Sequence, residues 1–130
     1  MLVESVPKNF VMYPEKRNRI LLVEDDEHIQ DMLVDGLEAR GYRVKTADNL
    51  NDALGYENEI DFVVTDLQIP KQWGRLADVK NGIEVIEYYG KRGIPIVVAS
   101  FSDMPTLDFM VKHAEDKTPN AIIKELEAWI

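Results

Sequence analysis

Two short apolar runs, each ending in carboxylates, leave this chain few folds to choose from. The first, Arg19-Ile20-Leu21-Leu22-Val23, is followed by Glu24-Asp25-Asp26-Glu27. The second, Ile60-Asp61-Phe62-Val63-Val64-Thr65, ends at Asp66. Runs of this length read as strands buried on both faces, the pattern of a parallel sheet covered by helices. Open sheets of that kind hold their ligands beyond the carboxyl ends of the strands. Both acidic groups then meet at one edge, and their mutual repulsion calls for a divalent cation.

The rest of the chain alternates in the same way. After Asp25 or Asp26, a helix start, Ile29, Met32, Leu33 and Leu37 recur at helical spacing as far as Gly41, a C-terminal stop. Tyr42 to Ala47 reads as a second strand, and Asp48 or Asn49 caps a short helix through Ala53 and Leu54. A polar stretch from Lys71 to Asn81 precedes a helix opening at Gly82, with Ile83, Val85, Ile86 and Tyr89 inward. Ile94 to Ser100 is a further strand. The last helix takes Thr118 as N-cap and Pro119 at its first position, with Ile122, Ile123, Leu126 and Ile130 inward. The expected fold class is therefore α/β, a doubly wound parallel sheet in one domain over residues 19–130, preceded by an extension over 1–18 in which Phe10 to Tyr13 can dock on the body.

Composition narrows the function classes. The 130 residues are 45% hydrophobic and 30% charged, which is ordinary for a globular domain, and the net charge is −9. That balance lacks the basic footprint of a nucleic-acid binder and the basic patch of a membrane-surface protein. With no cysteine there is no disulfide or thiolate chemistry, and a cytoplasmic setting is the natural expectation. His28 reads as a solvent-facing helical residue and His113 as a loop residue, with nothing to pair them on a metal.

Four segments in this order and spacing resemble the response-regulator receiver family, the phosphoacceptor domain of two-component signalling. They are Ile20-Leu21-Leu22-Val23-Glu24-Asp25-Asp26, Asp66-Leu67-Gln68-Ile69-Pro70, Asn81-Gly82-Ile83-Glu84 and Ile94-Pro95-Ile96-Val97-Val98-Ala99-Ser100. The resemblance implies a flavodoxin-like five-stranded sheet of order 2-1-3-4-5. It implies Asp66 as phosphoacceptor, with the phosphoryl group coming from a histidine kinase, a phosphotransfer protein or a small phosphodonor. It also implies Mg²⁺ held by Asp25 and Asp66, with Glu24 acting through water and the Gln68 carbonyl completing the shell. Ser100 matches the hydroxyl that bonds the phosphoryl oxygen. Phosphoryl transfer of this type is catalysed by positioning and charge neutralisation, which explains the residue types.

Two departures from the family pattern stand out. Eleven residues separate Pro70 from Gly82 where the family has a few, and they include Trp73, Arg75 and Lys80. The insert reads either as a lid beside the site or as a plain surface loop. After Ser100 the chain is short. If Leu107 to Lys112 is the fifth strand, with Phe109 as the aromatic and Lys112 as the phosphoryl-binding cation, only Phe101 to Thr106 remains for the crossover. Six extended residues reach roughly 20 Å, enough for a strap but not for a packed helix, so the fourth helix is shortened or absent. The competing register puts Leu107, Met110, Val111 and Ala114 on one helical face and leaves Lys117 as the cation. In both cases the face that receivers commonly use for partners is altered.

With no output domain in the sequence, the expectation is a stand-alone receiver acting on an unknown downstream protein. A pseudo-receiver that binds without phosphoryl turnover is the alternative. An aspartate-nucleophile phosphatase fits poorly, because it needs a second Asp where this chain has Gln68.

Overall fold

The structure is a computed structural model that describes residues 17–100 and 109–129. Its main sheet uses strands β1 (Arg19–Val23), β2 (Arg43–Ala47), β3 (Phe62–Thr65), β6 (Ile96–Val98) and β7 (Val111–His113). They lie in the order β2-β1-β3-β6-β7 and every pairing is parallel. The expected order holds once a small antiparallel hairpin is set aside. That hairpin pairs β4 (Ile69–Pro70), just before the insert, with β5 (Ala77–Asp78) inside it.

The helices are α1 (Glu27–Ala39), α2 (Leu50–Ala53), α3 (Val79–Gly90) and α4 (Pro119–Glu127). Strand alternation divides the core in two. Leu21, Val23, Val63, Ile96 and Val98 face one way, with Val85, Ile86 and Tyr89 of α3 packed on them. Ile20, Leu22, Phe62, Val64 and Val97 face the other way, against Leu33 and Leu37 of α1 and Ile122, Ile123 and Leu126 of α4. Each such aliphatic side chain contributes about 1.5–3 kcal/mol on full burial, so both faces of the sheet are committed to packing. The site must therefore lie at an edge.

Local signals fix most helix ends. The side chains of Asp26, Asn49 and Thr118 accept the N–H groups of Ile29, Asp52 and Ala121. α3 departs from expectation by starting at Val79, capped by Asp78, so three residues of the insert are helical. Gly82 lies inside that first turn rather than opening the helix. It is needed there because a Cβ would stand 2.2 Å from the Leu67 carbonyl oxygen. Met32, although at helical spacing, is 43% exposed on α1.

The region after Ser100 resolves part of the register question. Residues 109–113 do not form a helix, and β7 pairs with β6 as Ile96↔Val111, Val97↔Lys112 and Val98↔His113. His113, expected in a loop, ends that strand. Phe109 packs against Gly90 at the end of α3. The expected docking of Phe10 to Tyr13, the expectation of a shortened or absent fourth helix over 101–106, and Leu107 and Ile130 lie outside the described residues.

Candidate functional site

β1 and β3 run side by side, with Val23 opposite Thr65, so the residues after them share the carboxyl edge. Backbone bonds extend the sheet by one residue on each strand: Glu24 N–H donates to the Ala47 carbonyl and Asp66 N–H to the Val23 carbonyl, both at 3.0 Å. Glu24 is 2% exposed and Asp66 7%, while Asp25 is open to solvent. Oxygens of Glu24, Asp25 and Asp66 all fall within 4.8 Å of one another, the arrangement expected of a cation site. Ser100, two residues beyond β6, lines the same open cleft of about 320 Å³, as do Gln68 and Ala77. The Gln68 N–H donates to Asp66 Oδ1 at 3.3 Å.

The cation brought to these carboxylates is Lys117. Its Nζ lies 2.9 Å from Glu24 Oε1 and 2.7 Å from Asp66 Oδ2. Lys112, expected in this role, instead places its ammonium 5.5 Å from the centre of the Trp129 ring. The strand register gives the reason. Lys112 pairs with Val97 inside the sheet, whereas the carboxylates stand beyond its edge, which the chain reaches only after Ala114. An aromatic-to-lysine spacing had pointed to Lys112. The competing candidate, Lys117, stands directly before the Thr118-capped helix, in the chain just past the sheet edge.

Electrostatics follow from burial. Burial lifts the Glu24 carboxyl above its ordinary range, and the hydrogen bonds from Lys117 and the Asp26 N–H offset this only in part. Asp25 is also raised, first by desolvation, with the charge of Asp66 adding to it. Burial works against the charged form of Lys117, yet its bonds to Asp66 and Glu24 prevail and hold the ammonium above its ordinary value. One ammonium among three carboxylates leaves a double negative charge when all are ionised. Hard oxygen donors with that residual charge fit Mg²⁺.

The expected site residues thus divide cleanly. Glu24, Asp25, Asp66, Gln68 and Ser100 surround one cleft, Lys117 joins them, and Lys112 stays apart. The inserted Trp73 and Arg75 are exposed and do not line the cleft.

The fold has counterparts among known proteins. The receiver domain of HemR from Leptospira biflexa superposes with a TM-score of 0.65 at 26% identity, covering 85% of this chain and 91% of that one. The Thermotoga maritima response regulator TrrA, solved with Mg²⁺ and a beryllium fluoride, gives 0.67 at 21% identity, covering 87% and 99%. In sequence, a probable transcriptional regulatory protein of Picosynechococcus is 34% identical over 93 residues, 63% of this chain and 34% of that protein. The Vibrio cholerae autoinducer sensor kinase/phosphatase CqsS is 27% identical over 97% of this chain but only 20% of its own length. The chain therefore spans about a third or less of these two curated relatives. The response regulator receiver domain model matches residues 20–126, well over half of the chain, which belongs to that family.

Proposed function

We propose that this receiver domain accepts a phosphoryl group on Asp66 from a histidine kinase or a phosphotransfer protein and passes the signal on by a change of conformation. A receiver domain is a signalling domain rather than an enzyme acting on a diffusing substrate. The observation that carries the reading is the convergence on one cleft of Asp66, two further carboxylates, Lys117 and Ser100.

In the transfer, one Asp66 oxygen attacks the phosphorus, the bond from phosphorus to the donor nitrogen breaks, and an acyl phosphate forms. Glu24, Asp25 and Asp66, with the Gln68 carbonyl, would hold Mg²⁺, which supplies neutralisation of the phosphoryl oxygens. Lys117, already 2.7 Å from Asp66, is placed to follow the charge as it moves from the carboxylate to the phosphoryl oxygens. Ser100 stands across the cleft as the hydroxyl donor to that group. The Gln68 N–H keeps the acceptor carboxylate oriented before the transfer.

The test is intact mass after incubation with acetyl phosphate, with and without Mg²⁺, beside Asp66→Asn. A Mg²⁺-dependent gain of one phosphoryl group that the variant lacks is the expected result. No gain under any condition would turn the reading to a pseudo-receiver that binds without phosphoryl turnover.

A further inference from the structure

The insert forms a built arm beside the cleft. Ile69 and Pro70 at its base are buried and pair with Asp78 and Ala77. Asn81 Nδ2 donates to the Ile69 carbonyl at 2.9 Å, and the Lys71 carbonyl accepts the Asn51 N–H of α2 at 3.0 Å. At the tip, Arg75 N–H returns to the Gln72 carbonyl, and Gly74 takes the positive φ of 84° that the turn requires. On this tied-down arm Trp73 is 84% and Leu76 92% exposed. With the backbone beneath them anchored, these two side chains present apolar surface to water at a fixed place on the molecule, so contact has only their own rotamers left to order.

Charge says what surface they suit. Lys71, Arg75 and Lys80 sit on or at the foot of the arm, with Asp78 as the acidic member of the segment, in a chain of net charge −9. None of the three cations takes part in an ion pair among the described residues. Asp78 is engaged in capping α3. Lys71, Arg75 and Leu76 also line a shallow groove of about 480 Å³ on the flank of the arm. Tryptophan and arginine are the residue types that dominate protein–protein hot spots. The strands of the arm, two residues each, are too short to recruit a partner strand, so recognition must use side chains. A polyanion would be repelled by the acidic body, whereas a protein surface with a limited acidic rim would not.

We propose that the 71–80 arm is a docking element for a partner protein that presents an apolar helical stripe rimmed by carboxylates. Trp73 and Leu76 seat on the stripe, and Lys71, Arg75 and Lys80 pair with the rim. Ala77, within the arm, also lines the cleft of Asp66, so a protein docked here sits beside the mouth of that cleft. The proposal stands apart from the phosphoryl reading, because docking needs no chemistry at Asp66.

The test uses the full chain carrying Trp129→Phe, so that Trp73 alone reports by fluorescence. The probe is a synthetic amphipathic helix with leucines on one face and glutamates on the other. A counterpart has lysines in place of the glutamates. The acidic peptide is expected to give a saturable blue shift that salt weakens, and Lys71→Glu with Arg75→Glu is expected to weaken it about tenfold or more. In the unaltered chain the Trp73 indole N–H resonance reads the same event. Absence of a shift with the acidic peptide, or an equal shift with the basic one, would overturn the proposal. So would a shift on concentrating the protein alone, which marks a second copy as the occupant, or a shift with a single-stranded oligonucleotide, which marks nucleic acid.

Discussion

The two edges of the sheet carry the same residue types and use them in opposite ways. At the amino edge, Asp61 accepts from the Arg19 backbone N–H and from the Nε and Nη2 of the Arg19 guanidinium at 3.0–3.1 Å. Lys45 pairs with Glu59 at 3.6 Å close by. At the carboxyl edge, Lys117 pairs with Glu24 and Asp66, two of the three carboxylates gathered there. Burial pushes Asp61 up as it does Glu24, but the bonds and charge of Arg19 more than cancel it and Asp61 ends below its ordinary range. Glu24 and Asp25 end above theirs. A balanced edge stabilises the fold, and an unbalanced edge keeps a charge deficit that a cation and a phosphoryl group can exploit.

The pH dependence of the two edges accordingly has opposite sign. A lowered carboxyl contributes stability above its unfolded value, and the contribution is lost as pH falls through the folded value. Asp61 behaves so. A raised carboxyl binds its proton more tightly in the folded state. Glu24 and Asp25 therefore increasingly disfavour the fold as pH climbs from their unfolded to their folded values, above which the penalty is complete. Falling pH relieves that penalty.

The comparison breaks most sharply at Lys117. Lys117→Ala leaves Glu24 and Asp66 buried without their cation, and urea unfolding is expected to show a loss of about 3 kcal/mol. Millimolar Mg²⁺ should recover part of it. A loss unaffected by Mg²⁺ would mean that the carboxylates do not share a cation. Gly82→Ala acts on the same edge through shape, since its Cβ would press on the backbone of Leu67, the residue between Asp66 and Gln68. It is expected to cost about 2 kcal/mol and to slow labelling by acetyl phosphate. Unchanged stability and rate would show that the loop gives way freely. The smallest effect belongs to the balanced edge. Asp61→Asn should cost about 1 kcal/mol at neutral pH, because Arg19 is 39% exposed and solvent screens the pair. That cost should vanish as pH falls through the depressed Asp61 value. A cost that persists in acid would assign it to packing instead of charge.

How far the sequence could be read depended on the range of the interaction concerned. Strand cores such as Leu21–Val23 and Phe62–Val64 declare themselves because both faces are buried, so every position is apolar. Caps at Asp26, Asn49 and Thr118 are local hydrogen bonds between residues three apart and are legible for that reason. The start of α3 was misplaced because Gly82 looked like a boundary, when its role is a close approach to Leu67 in another element. Met32 fitted the helical period, yet it lies on the flank of α1 away from the sheet.

The sequence by itself determined the alternation of strands and helices, and it determined that Glu24, Asp25, Asp66 and Ser100 follow strands of one sheet. Burial of both faces and local capping leave their marks residue by residue. Only the tertiary structure decided which lysine meets Asp66. That choice rests on the register of β7 against β6, which stops Lys112 inside the sheet and lets Lys117 pass its edge. It also decided that the insert is a fixed arm holding Trp73 in water, because its anchors at Asn51 and Ile69 are distant in the chain and close only in the fold.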